Sequence, residues 1–231
     1  MSPIIDAIKC NLDLSQNKPL KFSVYEALRK TIILGDIPAG KRINEKELSE
    51  ELNISRTPIR FALQELVKEQ LVEHVPRIGI VVKGISIKDA YEIYDIRKAL
   101  DTLATIKAMT FMNNNDFDEL ERLLMKSEYY NKTDQVDALL QSFSDFNEFI
   151  YQKSQMLRLK AIVTDLQAYL VYFRDIAIRA SARRSLALEE HWLIFRGMKN
   201  NDIEQITLIT HEHLNRSLQF ILKEMERRKI E

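Results

Sequence analysis

The stretch 55-SRTPIRFALQEL-66 places a proline between two arginines and then continues into regularly spaced apolar residues. Proline has a fixed φ and no N–H group, so a helix tolerates it only in the first turn. Pro58 therefore predicts a helix start, with Ser55 or Thr57 as the cap. The predicted apolar face carries Ile59, Leu63, Leu66 and Val67.

A second face of the same helix carries Arg56, Arg60 and Gln64. Hydroxyl and guanidinium groups in an exposed first turn can bind phosphates and base edges, although solvated surface arginines are more common. The sequence of the neighbouring segments distinguishes a DNA-binding helix from an ordinary surface helix.

Two further helices are predicted before this one. Helical spacing of apolar residues from Phe22 to Leu34, followed by Gly35, indicates the first. A turn with a short extended piece follows over residues 35–44. A capping box of Asn44 and Glu47 then begins a short helix that ends at Asn53. A tight turn joins this short helix to the SRTP helix.

The stretch 71-LVEHVPRIGIVV-82 predicts a β-hairpin, because apolar residues flank a turn that contains proline and glycine. Three helices and a hairpin together predict a winged helix-turn-helix domain over residues 18–84. Arg77 and Gly79 fall at the hairpin tip, where a cation and an unhindered backbone could reach a groove or a phosphate. An ordinary turn glycine remains the alternative for Gly79.

The rest of the chain divides into an N-terminal arm and an all-helical domain. Residues 1–17 show no clear pattern and are assigned to the arm. Residues 85–231 predict about six helices in an antiparallel bundle with its own core. The first is predicted to bury Ile93, Ile96, Leu100 and Leu103. Asn115 is predicted to cap the second helix, and Asn201 with Glu204 the last. The fold class is therefore mainly α.

Composition indicates an ordinary protein of the cytoplasm. The 231 residues carry 34 basic and 34 acidic side chains, and the segment 18–84 has a small excess of three positive charges. A single cysteine, Cys10, excludes an intramolecular disulfide and cysteine-rich zinc sites. No apolar run is long enough to span a bilayer, so we expect no membrane partner.

Two histidines and an arginine are candidates for a binding site in the helical domain. His191 precedes the turn at residues 200–201 and His213 follows it at a similar distance, so an antiparallel hairpin brings them to similar height. His211 points to a different helix face. Arg97 lies among apolar residues and either pairs with Asp101 or binds a carboxylate. Arg174 is a weaker candidate for the same cavity.

The runs 35-GDIPAGKRINE-45 and 48-LSEELNISRTPIR-60 resemble the GntR family of bacterial transcription regulators, in the branch with an all-helical FCD effector domain. The resemblance implies that Arg56, Thr57 and Arg60 enter the major groove. It also implies that Lys46 contacts the DNA backbone and that Arg77 and Gly79 form the wing contact. Phe61 departs from the family pattern, in which this position is usually acidic.

The effector domain resembles the family in 94-YDIRKALDTLA-104, 146-FNEFIYQKSQMLRL-159, 190-EH-191 and His213. The resemblance implies a divalent metal, Zn²⁺ or Ni²⁺, held by an aspartate and three histidines. Here Phe143 and Asn147 occupy the first two of those positions. His191 and His213 therefore remain as ligands, with Asn147 as a weak third, and no cofactor is assigned with certainty.

We therefore predict a transcription regulator rather than an enzyme, binding an operator in double-stranded DNA as a homodimer. The predicted effector is a small carboxylate, with citrate first and a sugar acid second, held by Arg97, Asn147, Arg174, His191 and His213. An acyl-CoA-responsive or metal-responsive regulator of the same family is the alternative. A helical metalloenzyme with an attached DNA-binding domain is a remote one, since no carboxylate cluster or nucleophile–base pair is evident.

Overall fold

The computed structural model describes residues 3–15, 17–179 and 181–231. These residues form ten helices and three strands. The chain divides into two compact units, which are Met1–Ile87 together with Met225–Glu231, and Lys88–Glu224. No helix among the described residues is long and apolar enough to cross a membrane.

The first unit contains a winged helix-turn-helix, as the sequence predicts. Its elements are α1 (Pro3–Asn11), α2 (Leu20–Ile33), β1 (Arg42–Ile43), α3 (Glu45–Leu52), α4 (Arg56–Lys68), β2 (Val72–Val75) and β3 (Gly79–Val82). The three strands form an antiparallel sheet in the order β1-β3-β2. The short extended piece of the sequence prediction is β1. It pairs with β3 and so adds a third strand to the β2–β3 hairpin, which is the wing of this fold.

Helix α4 begins as predicted, with Pro58 in its first turn. Ser55 occupies the N-cap position, but its side chain makes no capping hydrogen bond. Ile59, Leu63 and Leu66 are buried, whereas Val67 is 37% exposed, so its predicted place in the core is wrong. The buried face follows the i, i+3, i+4, i+7 pattern through Ala62, and Val67 lies past its edge.

Helix α3 shows the predicted start and stop signals. The Asn44 side chain accepts hydrogen bonds from the backbone N–H groups of Lys46 and Glu47, at 2.9 and 3.4 Å. At the other end, Asn53 takes the left-handed conformation with a φ of 53°. Asparagine tolerates this conformation better than most residues, so it ends the helix and turns the chain into α4.

The prediction of an unpatterned N-terminal arm is wrong for residues 3–11, which form α1. Ile5 and Ile8 are buried, and the helix packs against α2 and α3. At its end, Asn11 Nδ2 donates a hydrogen bond to Thr31 Oγ1 at 3.0 Å. Nine residues form a marginal helix in isolation, so this packing is what stabilises α1.

The second unit consists of helices, in agreement with the predicted all-α domain. Its helices are α5 (Ile87–Phe111), α6 (Asn114–Lys132), α7 (Val136–Lys153), α8 (Leu157–Ile178), α9 (Ser181–Lys199) and α10 (Ile203–Arg227). Ile87 and the end of α10 belong to the first unit. One hydrophobic core cluster of this unit includes Leu120, Phe146, Ile150, Phe195 and Ile206.

Two local predictions for the helical unit, the buried face of α5 and the cap of α6, are wrong. Ile96 and Leu103 are each 39% exposed, because the buried face of α5 instead runs through polar residues, including Arg97 and Asp101. Asn113, not Asn115, caps α6 in a reciprocal capping box with Asp116.

At the start of α10, the Asp202 side chain accepts from the backbone N–H of Gln205 at 2.9 Å. Asn201 lies outside the helix, with a left-handed φ of 55°. The predicted capping box of Asn201 and Glu204 is therefore shifted by one residue.

The packing of α1 predicts a stability effect for Ile8→Ala. Ile8 is 1% exposed, so removing three carbon atoms leaves a cavity under α1. We expect a loss of about 2–5 kcal/mol in the free energy of unfolding of the first unit, measured by urea titration. Cys10→Ser, at an exposed position of the same helix, is the matched control. Equal stability of both variants would mean that α1 does not pack as described.

Candidate functional site

The residues predicted to bind DNA lie on the exposed surface of the winged helix-turn-helix. Arg56, Thr57 and Arg60 are exposed in the first turns of α4. The Arg60 guanidinium donates to Glu45 Oε2, with its nearer nitrogen at 3.1 Å. Because Glu45 is the first residue of α3, this contact places the starts of α3 and α4 side by side. Lys46, the next residue of α3, is also exposed.

The wing presents a cation and a glycine at its turn. Val75 pairs with Gly79, and the exposed Arg77 lies between them with a left-handed φ of 67°. Gly79 has a φ of 105°, which favours glycine, so the turn alone is sufficient to explain this residue. A Cβ at Gly79 would lie 3.8 Å from Arg42 Nε, so the Arg42 side chain runs along the wing. The sequence reasoning missed Arg42, although it lies in the quoted run 35–45.

A buried ion pair lies at the centre of the helical unit. Arg97 donates to Asp101 Oδ2 at 2.9 Å, one turn along α5. The Tyr151 hydroxyl donates to the other carboxylate oxygen at 2.8 Å, and Gln167 donates to that hydroxyl at 3.0 Å. Burial opposes the charge of Arg97, but the charge and hydrogen bond of Asp101, together with Tyr94 and Tyr151, outweigh it and raise the pKa of this guanidinium.

His191 is enclosed by aromatic rings. The Phe146 ring stacks on it with a centroid distance of 4.6 Å, and the Phe143 ring meets it edge-on at 4.8 Å. The His213 ring lies 5.0 Å away, so the structure brings the two histidines together as their spacing predicts. Burial holds the pKa of His191 well below its usual value, and the positive charges of His213 and Arg183 add to this effect.

Glu190 accepts hydrogen bonds from three side chains, and the sequence reasoning missed its role. It accepts from His213 Nδ1 at 2.6 Å, from Arg216 at 2.7 Å and from Arg183 at 3.2 Å. Burial alone would raise the pKa of this carboxyl, but the hydrogen bonds and charges of His213, Arg216 and Arg183 lower it to about 2. Arg183 and Glu190 are seven residues apart, so a local rule for i, i+4 pairs does not detect them.

The hydrogen bond from His213 to Glu190 fixes the orientation of the imidazole. It places a proton on Nδ1 and leaves Nε2 without one when the ring is neutral. Burial lowers the pKa of His213, and the hydrogen bond and charge of Glu190 partly oppose that shift.

Two small cavities share Asn147, His191 and His213 as walls. The first, with a volume of about 30 Å³, is also lined by Arg97, Asp101, Tyr151 and Thr210. The second, of about 40 Å³, is also lined by Arg174 and Arg183. The predicted effector residues therefore surround one pair of cavities. Arg174 donates to its neighbour Asp175 at 3.2 Å and is half-buried.

Several buried polar atoms around the first cavity have no hydrogen-bond partner within the described residues. They are Arg97 Nε, both ring nitrogens of His191 and Thr210 Oγ1. A buried polar group without a partner costs about 1–3 kcal/mol, so their accumulation at one cavity makes it the candidate site for a polar ligand. Thr210 is the second residue that sequence reasoning missed; a single threonine within a helix gives no signal.

The residues present do not fit a firmly held divalent metal. Among the described residues, no group of three or more histidine, cysteine, aspartate or glutamate side chains is arranged to hold one. Phe143 stands where the resemblance implies an aspartate, and its ring packs against His191. Glu190 is engaged by two arginines and His213. Two imidazoles and the Asn147 amide are a poor set for Zn²⁺ or Ni²⁺.

Comparison with known proteins identifies the class of this chain. The family model described as bacterial regulatory proteins, gntR family, matches residues 20–82, and the FCD domain model matches residues 92–216. The chain belongs to the GntR family of bacterial regulatory proteins and carries an FCD domain. It is a DNA-binding transcription regulator and not an enzyme.

Its relatives agree with this assignment. An uncharacterized HTH-type transcriptional regulator, YdhC of Bacillus subtilis, is 27% identical over 92% of this chain and 96% of its own length. The gluconate operon transcriptional repressor of the same organism is 26% identical, over 83% of this chain and 80% of its own. The solved structure of E. coli McbR/YncC has the same fold, with a TM-score of 0.63 and 23% identity, covering 89% of this chain and 98% of the other.

The buried ion pair predicts a large cost for Asp101→Asn. This change leaves the Arg97 charge buried without a counter-charge, which typically costs about 3–5 kcal/mol. Thermal and urea unfolding of the full chain should show that loss in the helical unit. Asp95→Asn on the same helix removes an exposed pair with Lys98 and should cost at most about 1 kcal/mol. Similar losses in both variants would contradict a special role for the buried pair.

Proposed function

We propose that a small carboxylate, bound at the two cavities of the helical unit, controls how this regulator binds its operator. The observation that supports the proposal is the set of buried polar atoms without partners at Arg97, His191 and Thr210. A carboxylate is an acceptor of several hydrogen bonds, so it could satisfy the Arg97 Nε–H, an N–H of His191 and the Thr210 hydroxyl together.

Positive charge around the cavities favours an anion over a neutral ligand. Arg97 lines the first cavity, and Arg183 and Arg174 line the second. Asp101 and Glu190 compensate part of this charge, but the Arg97 Nε–H remains available. Citrate is the first candidate, because its carboxylates could reach both cavities. A sugar acid such as gluconate is the second, and the name of the Bacillus subtilis gluconate operon repressor supports including it.

Two alternatives within the family remain for the effector. An acyl-CoA is disfavoured by the polar lining of both cavities, which an apolar acyl chain would leave without hydrogen-bond partners. In the second alternative, a weakly held Zn²⁺ or Ni²⁺ on His191, His213 and Asn147 bridges the carboxylate. We favour direct, metal-independent binding because of the poor donor set.

For DNA, we propose that α4 enters the major groove and that its exposed first turns read base edges. Arg56, Thr57 and Arg60 supply the donors and acceptors that this requires. Lys46 and the wing residues Arg77 and Gly79 are proposed to contact the phosphate backbone, which positions α4. Arg42 joins this group because its side chain runs along the wing.

We propose that the regulator acts as a homodimer in the cytoplasm, where operator DNA is found. One winged helix reads a short half-site, so two copies on a near-palindromic operator give a longer specific contact. The exposed apolar residues Ile96 and Leu103 are seven residues apart on one face of α5, which is suited to a second helical surface. Light scattering of the protein with and without operator measures both stoichiometries.

The DNA assignment predicts that Arg56→Ala abolishes specific operator binding without unfolding the protein. Arg56 is exposed and off the core face of α4, and one bidentate base contact contributes about 1–3 kcal/mol. Arg60→Ala should act in the same direction. Gel-shift titrations would use an operator that the wild-type protein selects from randomised DNA. Arg158→Ala, at an exposed position of α8, is the control, and unchanged affinity for both α4 variants would refute the assignment.

The effector assignment predicts opposite effects of Thr210→Val on stability and on ligand binding. Valine has the same shape but no hydroxyl, so the ligand-free protein should be as stable as wild type or more stable. Affinity for the carboxylate should fall about tenfold or more, since a hydrogen bond to a charged group contributes about 1.5–3 kcal/mol. Calorimetry with citrate, gluconate and other di- and tricarboxylates measures this loss.

The control for this experiment is Thr207→Val, on the same helix, where the hydroxyl donates to the backbone of Ile203. Repeating the titrations with chelator, Zn²⁺ or Ni²⁺ separates direct binding from metal-bridged binding. The proposal fails if wild type binds none of these carboxylates under any of the conditions, and an acyl-CoA then becomes the next ligand to test.

A further inference from the structure

Two aromatic rings and a lysine form a cluster beside the start of α4, here named the Lys21 cluster (Lys21, Phe22 and Phe61). The rings of Phe22 and Phe61 meet edge to face, with centroids 5.4 Å apart and planes at 88°. The Lys21 ammonium lies 4.4 Å from the Phe61 ring centroid and 4.9 Å from that of Phe22. The cluster therefore joins the first turn of α2 to α4.

The position of the cluster places a positive charge next to the proposed base-reading surface. Phe61 directly follows Arg60 on α4, and the Lys21 ammonium lies over its ring. A helix in the major groove has a phosphate backbone on either side of it. A cation held beside the first turns of α4 is therefore placed where a phosphate oxygen would be expected.

The charge of Lys21 is not neutralised within the described part of the protein. Lys18, three residues earlier, pairs with Glu26, whereas the contacts of the Lys21 ammonium are with the two rings. A carboxylate at position 61 would attract Lys21 and repel phosphate; Phe61 does neither.

The rings also reduce the cost of ordering the lysine. A free lysine side chain loses up to about 2 kcal/mol of rotamer entropy when it is fixed by a partner. An ammonium that already lies over aromatic rings has lost part of that freedom before DNA arrives. Phe22 is 40% exposed, so the cluster lies at the protein surface, where DNA can reach it.

We infer that Lys21 binds a phosphate of the DNA backbone and that Phe61, with Phe22, is the residue that positions it. This inference rests on the proposed entry of α4 into the major groove. It adds α2 to the proposed DNA-binding surface and gives a function to Phe61.

The test measures the affinity of the full-length protein for fluorescein-labelled DNA across a range of salt concentrations. The probes are the operator that the wild-type protein selects from randomised DNA and a scrambled duplex of the same length. One phosphate contact contributes about 0.9 to the slope of log K against log salt. Lys21→Ala should therefore reduce that slope by about 0.9 per bound chain and weaken binding about eightfold per chain at 0.1 M salt, equally on both duplexes.

Lys68→Ala is the matched control, since it removes an exposed lysine at the other end of α4. Phe61→Leu keeps an apolar contact with Phe22 but removes the aromatic face, so binding should weaken by the same mechanism. Phe61→Tyr keeps the ring and should bind as wild type does. Lys21→Ala combined with Phe61→Leu should be no weaker than Lys21→Ala alone. Unfolding curves verify that every variant is folded.

The outcomes separate this inference from the proposed DNA-binding mode. An unchanged salt slope in Lys21→Ala overturns the phosphate contact, and equal losses in Phe61→Leu and Phe61→Tyr overturn the positioning role. Retention of specific binding by Arg56→Ala would refute the entry of α4 itself. Loss of specificity in Arg56→Ala, together with a sequence-independent loss in Lys21→Ala, supports both.

Discussion

A positive charge is buried in the helical unit, and the residues around it are arranged to accommodate that charge. Arg97 lies on the core face of α5, where desolvation would be costly without the Asp101 carboxylate one turn away. Tyr151 then donates to the same carboxylate, which connects α7 to α5. The core face of α5 is consequently polar at its centre, and the cavity lies against it. The need to neutralise the Arg97 charge therefore explains why Asp101 and Tyr151 are buried beside it.

In the winged helix-turn-helix, one helix satisfies two opposite requirements. The face of α4 with Ile59, Leu63 and Leu66 is buried, while Arg56 and Arg60 stay in solvent. The pairing of Arg60 with Glu45 is exposed and therefore weak, which is compatible with the proposed exchange of this partner for DNA. Core packing fixes one face of α4, and the arginines that we propose to read DNA are exposed on the other.

Local signals were sufficient to predict much of this unit, because each acts within a few residues. Pro58 marks a helix start, Asn44 caps α3, and residues 76–78 turn the hairpin. The helix α1 has no such signal, since nine residues become a helix only when Ile5 and Ile8 find a surface to pack against. That surface is formed by residues distant in the sequence, so no short window contains it.

The same distinction applies to the candidate effector site. The spacing of His191 and His213 about a turn predicts their proximity, because a helical hairpin has a regular rise. Glu190 could not be assigned, since its partners Arg183, His213 and Arg216 are 7 to 26 residues away. Ile96 and Leu103 were misplaced because periodicity alone assumes that an apolar face is the buried one, whereas α5 buries an ion pair.

The small size of the cavities determines how an effector could act. Volumes of about 30 and 40 Å³ accommodate water but not an organic acid, so binding requires a more open arrangement of the surrounding helices. Asn147, His191 and His213 separate the two cavities, and movement of these side chains would join them. A ligand that binds only the open arrangement shifts the equilibrium toward it. The observed binding free energy is the free energy of binding to the open arrangement less the cost of opening. If DNA favours one arrangement, ligand and operator must then alter each other's affinity by the same factor.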